Sequence, residues 1–403
     1  MRPSKSRGLI SWWCLSVALL APPAKLSAFQ SNPLSSHSAI SPLQQAANAS
    51  RERGDTEEST RLYRRALQQN ERWQDGWWYY GSLLYDANKY QEAERAFQKL
   101  VDLNGTLGDA WAMLGLSAYD CRDFPTAFHA LERSDKLGTQ LDPEIQNVAD
   151  YHLALLLNMR GDSDAASMIL SSLFLRGIRS EDLQVALGLS LLRVPILPDQ
   201  LDPSRDALVH DAGNIAALCA QQRYDKAELA FKDLETRYPN VDFIHYAFGS
   251  MLSSMGRDQD AEDQLRAETQ LNPQDALAYL EWSFIESKDK NFPESKRLAA
   301  KAVQLSSTSF MAHYLLGNAN LNMGDVKAAV PDLETAKKLA PEVPDVRYGL
   351  ARAYARLGEV DKAQKEQTEF LALQRKNAID RSILRKKYPS AQPVTGMRPI
   401  TPE

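Results

Sequence analysis

The side chains that could do chemistry in this 403-residue chain are scattered. His245 and His313 recur at one offset of a 34-residue period, two periods apart, so packed helix layers would hold them roughly 20 Å from each other. They cannot share a metal ion. His129, His152 and His210 fall in different segments, and none has a His or Cys three or four residues away to form a helical ligand pair. His152 and Asp150 are two residues apart, which puts them on different faces of a helix. Cys121 and Cys219 fall about three segments apart, well beyond the roughly 7 Å Cα separation that a disulfide spans, and are expected to be small core residues. The chain has no Gly-x-Ser-x-Gly elbow and no phosphate-binding glycine loop. Asp162 and Asp164 stand where a helix would begin, a capping position. No catalytic residue, no metal ligand and no cofactor is expected.

The spacing that does repeat is architectural. Segments starting at 208, 242, 276, 310 and 344 follow one another without slippage. The segment at 242 carries Phe248-Gly249, Gly256, Ala261, Leu265 and Asn272-Pro273; the segment at 310 carries Leu316-Gly317, Gly324, Ala329, Leu333, Ala336 and Pro341 at the same offsets. Two apolar-periodic runs divided by glycine and closed by proline predict an antiparallel helix pair. Gly249 and Gly317 lie inside the first helix, where glycine costs about 1 kcal/mol against alanine, so close approach of the second helix at Ala261 and Ala329 is the expected reason. The period extends back through starts at 108, 74 and 40. It is offset by five residues around 137–143, resumes near Asn147, and loses one second helix where Pro195, Pro198 and Pro203 fall.

A large residue followed by a small one, then Ala, an apolar residue and a closing Pro resembles the tetratricopeptide repeat family. The resemblance implies an all-α, right-handed superhelical solenoid of about nine to ten antiparallel helix pairs, one of them incomplete. It also implies a concave groove lined by the first helices. Candidate groove contacts are Trp78, Tyr246, Tyr314 and Tyr348 at the fifth position, Tyr85 and Tyr119 at the twelfth, and Asn318 and Arg352 at the ninth. Rings on a rigid surface give large contact area at small entropic cost. The fifth positions carry no lysine, so the two-carboxylate clamp used by some family members is not expected here.

The chain divides into a secretory signal at 1–28, a linker at 29–40, a repeat array at 41–193, a Pro-rich insertion at 194–204, a second array at 205–375, a capping helix at 376–388 and a disordered tail at 389–403. The signal rests on Arg2, Lys5 and Arg7 ahead of an apolar run at 9–21 and the small-residue end Ser27-Ala28. That run is shorter than the ~20 residues of a membrane span; an uncleaved N-terminal anchor is the alternative to cleavage. Removing Arg2, Lys5, Arg7 and Lys25 moves the formal charge from −5 to about −9. An acidic product is a poor partner for nucleic acid or an anionic membrane surface. The expectation is an exported scaffold, periplasmic or at the cell surface, that binds a protein or peptide in its groove. A carbohydrate-associated role in polysaccharide export is the alternative.

Overall fold

The computed structural model describes residues 41–140 and 143–387, with side chains as far as residue 377. The expected signal, linker and tail lie outside the described residues. Nineteen α-helices follow one another, with no strand among the described residues. They pair as α1 (Pro42–Glu52) with α2 (Thr56–Gln69), α3 (Gln74–Asp86) with α4 (Tyr90–Leu103), α5 (Gly108–Asp120) with α6 (Phe124–Leu137), and α7 (Pro143–Met159) with α8 (Ser163–Leu175). After the unpaired α9 (Glu181–Leu191), pairing resumes with α10 (Asp206–Ala220) and α11 (Tyr224–Arg237), α12 (Ile244–Ser254) and α13 (Asp258–Leu271), and α14 (Ala276–Lys288) and α15 (Phe292–Leu305). The last pairs are α16 (Phe310–Asn322) with α17 (Val326–Leu339), and α18 (Pro344–Arg356) with α19 (Val360–Lys387). The fold is thus an all-α array of nine complete helix pairs and one incomplete one. Two compact units divide it: one runs to Ser190 and takes in 194–202, and the other holds 191–193 and the chain from 203 onward.

Each pair closes through the same turn. The fifteenth residue of every complete segment has positive φ: Gly54, Asn88, Arg122, Gly161, Gln222, Gly256, Lys290, Gly324 and Gly358. The following N–H reaches back to a carbonyl five residues earlier, as from Asp325 to Asn320 at 2.9 Å and from Lys89 to Leu84 at 2.9 Å. This bond satisfies a helix-end carbonyl while the left-handed residue reverses the chain. At Gly324 an added Cβ would meet nothing within 4 Å, so the φ of 89° alone is what favours glycine there. Several second helices then start on an Asp whose carboxylate accepts an amide of the first turn: Asp55, Asp123, Asp162 and Asp325.

The incomplete segment shows what happens when that turn is refused. Its fifteenth residue is Pro195, whose ring fixes φ near −65°. The left-handed residue is instead Arg193 (φ 52°), and Val194 N–H bonds back to Leu189 O at 2.9 Å. The chain leaves α9 two residues early, a rotation of roughly 200° about the helix axis. No second α-helix follows; Pro198–Gln200 and Pro203–Arg205 form two short 3-10 turns. The segment is anchored where it lies, since Asn158 Nδ2 donates to Val194 O at 2.7 Å and Arg122 pairs with Asp199 at 2.7 Å.

Within a pair, small residues mark the crossing. A Cβ on Gly317 would stand 2.7 Å from Leu333 Cγ and 3.1 Å from Ala329 O, and Gly115 is closed off by Leu131 in the same way. In the α14/α15 pair both small positions are serine. Ser283 Oγ donates to Ser295 O at 2.9 Å, Ser295 Oγ donates to Ser283 O at 3.0 Å, and both residues are wholly buried. The five-residue offset is taken up in part by α7, which has 17 residues against 13 in α5. Cys121 and Cys219 correct the core expectation: both thiols are free and half-buried. At the far end, Glu366 of α19 is buried and accepts from Lys337 of α17 at 3.0 Å and from Arg347 of α18 at 2.9 Å.

Lys290→Gly removes a left-handed non-glycine residue from an exposed turn, and Gly324→Ala installs one. A left-handed L-residue costs about 1–2 kcal/mol, partly offset by glycine's larger unfolded entropy. Thermal denaturation is expected to show K290G stabilised by about 0.5–1 kcal/mol and G324A destabilised by about 1 kcal/mol. Equal behaviour of the two variants would remove the turn argument.

Candidate interaction face

Successive first helices lie side by side within each unit: α5 touches α7, and α12, α14, α16 and α18 touch in order. Of the fifth-position residues in complete segments only Tyr246 and Tyr348 are partly exposed, whereas Tyr85, Tyr119 and Cys219 at the twelfth and Asp120 and Asn322 at the thirteenth are half-buried. The second helices take the opposite side of each pair and hold the apolar positions, such as Phe97, Leu131, Leu265 and Leu333, against the first.

In the first unit the twelfth-position tyrosines are built into a network. Tyr85 Oη donates to Asp120 Oδ2 at 3.0 Å, joining α3 to α5, and its ring stands edge-on to Tyr90 at 5.2 Å. Burial pushes the Tyr85 hydroxyl well up, so it stays a donor. Burial also lifts Asp120 to about 6, against the Tyr85 hydrogen bond and Arg122. Tyr119 packs on His152 of α7 with ring centroids 4.1 Å apart and on Phe124 at 5.4 Å. His152 Nδ1–H donates to Val148 O at 2.8 Å, and burial lowers the ring's pKa to about 4, so it is neutral. Trp78 is corrected: it is 2% exposed and meets Phe97 edge-on at 5.9 Å, a core residue with no area to offer a ligand.

In the second unit four of the expected residues come together between α16 and α18. Asn318 accepts from Asn322 Nδ2 through its backbone O at 2.9 Å and its Oδ1 at 3.1 Å, and Arg352 Nη2 donates to Asn322 Oδ1 at 3.1 Å. The Arg352 guanidinium also lies 5.7 Å from the ring centre of Tyr348, a cation–π distance, while Tyr348 leans on Phe370 at 5.3 Å. Tyr314 lies beneath this strip and is corrected in the same sense as Trp78: it is 8% exposed, and burial raises its hydroxyl. Tyr246 stands apart, with Arg193 at 5.2 Å over its ring and its N–H on Glu268 Oε2 at 3.1 Å. Glu268 is wholly buried and also takes the N–H of Phe243, so it caps the start of α12.

The sequence reading missed Asp120 and Asn322, and weighed His152 only as a metal ligand and not as the ring that packs on Tyr119. Asp120 and Asn322 share the thirteenth position, next to the twelfth-position residues and on the turn toward the neighbouring helix. A polar residue recurring at that offset was the available signal. His245 and His313 prove to be ties between helices: His245 Nδ1 meets Glu235 at 2.9 Å and Gln264 at 2.7 Å, and His313 Nδ1 meets Asp332 at 3.0 Å. Among the described residues no three His, Cys, Asp or Glu side chains come together as a metal site, and no helix is long and apolar enough to cross a membrane.

Residues 45–107, 81–140 and 320–366 match family models described as tetratricopeptide repeat. The chain therefore carries tetratricopeptide repeats near both ends of its described array. No curated protein matches it. Among solved structures it is similar to a double mutant of MamA (18% identity, covering 41% of this chain and 94% of that one, TM-score 0.39). It is also similar to the APC/C hetero-tetramer Cut9–Hcn1 (12%, 83% and 79%, 0.35) and to yeast Tom70 (11%, 87% and 98%, 0.29). These likenesses are too distant to carry a shared partner or role.

Two histidines give the units opposite responses to acid. His152 is held neutral when folded, so the first unit keeps its full stability above about pH 6.5 and loses it as pH falls toward 4, by roughly 3 kcal/mol at the lower end. His245 is raised, chiefly by its bond to Glu235, so its contribution is complete below about pH 6.5 and is lost as pH rises through its folded value. Urea denaturation at pH 7 and pH 4.5 is expected to show His152→Phe flattening the acid loss of the first unit. An unchanged pH slope in that variant would count against the burial argument.

Proposed function

We propose that this chain is a non-catalytic scaffold, exported to the cell envelope, that holds a peptide segment or partner helix along the inner face of its first helices. One observation supports the reading above others: the connected strip of Asn318, Asn322, Arg352 and Tyr348 across α16 and α18. Its members are half-buried and already oriented by one another. A bound segment would meet amide, guanidinium and ring groups whose freedom is already restricted, which lowers the entropic cost of association. Tyr85, Tyr119 and Asp120 offer a comparable half-buried strip in the first unit. The tetratricopeptide repeats favour a protein partner over a glycan. The burial of Trp78 and Tyr314 weakens the carbohydrate reading further, because a buried ring has no face to lay against a sugar.

A photo-crosslinking amino acid placed at Asn318 or Tyr85 is expected to capture partner protein from the envelope fraction, and the same group at exposed Arg297 on α15 is not. Tyr348→Ala with Arg352→Ala should reduce the Asn318 adduct at least ten-fold while circular dichroism stays helical. Equal capture from Arg297 and Asn318 would locate binding away from the inner face.

A further inference from the structure

The twelfth position of the segment starting at 208 holds neither of the tyrosines found there in the segments at 74 and 108; it holds Cys219. The Cys219 thiol on α10 lies 3.7 Å from the thioether sulfur of Met251 on α12. Two soft donors from neighbouring repeats are thus brought together. Cys219 is half-buried, and Met251 is 6% exposed and lies in the packing between helices. Cys121 supplies a comparison within the same chain, since it is also free and half-buried but caps α5 with a carboxylate, Glu94, as its neighbour.

Soft thiolate and thioether ligands suit Cu(I), and a neutral thioether in place of a second thiolate fits a soft monovalent ion better than Zn(II). With metal–sulfur bonds of about 2.3 Å, a sulfur separation of 3.7 Å subtends an angle of roughly 110° at the ion. That angle suits a three- or four-coordinate centre and leaves a position open to an exchangeable ligand. We propose that Cys219 and Met251 form a binding site for a soft monovalent metal ion of the Cu(I) and Ag(I) class. Binding forms a bond from the ion to Sγ and a second from the Met251 lone pair, and releases the thiol proton to solvent. No electron is transferred. Burial pushes the free Cys219 thiol up to about 12, so the ion must displace a proton and its affinity falls about ten-fold for each unit of acidification.

Ag(I), which needs no reductant, is the probe, titrated into the full chain against a chromogenic competitor. One ion per chain is expected, with release of one proton. Cys219→Ser should abolish the tight site, Met251→Leu should weaken it at least ten-fold, and Cys121→Ser should leave it unchanged. Met251→Leu nearly conserves volume, and its helicity is checked by circular dichroism. X-ray absorption of the silver-loaded wild-type chain provides a reading free of any variant, with two sulfur neighbours expected. A single sulfur neighbour, equal affinity in M251L, or no stoichiometric uptake would each overturn the site.

Discussion

A helix pair in this chain closes only where one residue can adopt a left-handed backbone, and the rest of the array depends on that turn. The reversal sets the second helix against the first at the crossing where Gly317 meets Leu333 and Gly115 meets Leu131. That contact in turn presents the first helices to their counterparts in the next repeat. Gly324 and its equivalents supply the conformation freely; Asn88, Arg122, Gln222 and Lys290 hold it under strain, which packing of both helices overcomes. Pro195 cannot hold it at all. The single proline Pro331 inside α17 does not stop that helix, so proline content alone is not what removed the partner of α9. The refusal of one φ value accounts for it better.

Once the turns are set, the shared face of neighbouring first helices is what remains after architecture has taken its share. Fifth-position rings serve two ends: Trp78 and Tyr314 fill the core, whereas Tyr348 and Tyr246 sit higher and carry an arginine over the ring. Local composition decides between them. Position in the repeat therefore marks the side of the helix on which a residue lies, and the neighbours mark whether a partner could touch it. The polar strip of α16 and α18 consists of side chains that already satisfy one another, which makes it a stiffer surface than exposed residues would give.

The helix pairs were legible because a period of 34 residues repeats the same glycine, alanine and proline offsets many times, so each segment checks its neighbours. Side-chain depth was not legible, because the fifth position reads as aromatic whether the ring is buried or half-exposed. Nor was the Tyr85–Asp120 bond, which joins residues 35 apart and exists only after two repeats have stacked. Asn322 escaped for a related reason: its partners Asn318 and Arg352 flank it in space, but only one of them is a near neighbour in sequence. The cysteines misled because small, apolar side chains belong in cores on average, while both stand near helix ends.

The buried carboxylate of Glu366 has a bearing on how such a chain could shorten over evolutionary time. It faces Lys337 and Arg347, which belong to the two preceding helices, so the last helix neutralises charge that its neighbours contribute. Loss of α19 by an early stop codon would open the apolar face of α18 to water and leave Arg347 without its carboxylate, while Lys337 keeps Glu334 at 2.6 Å. Shortening the array by α19 thus undoes a tie that reaches both preceding helices as well as the packing within its own pair.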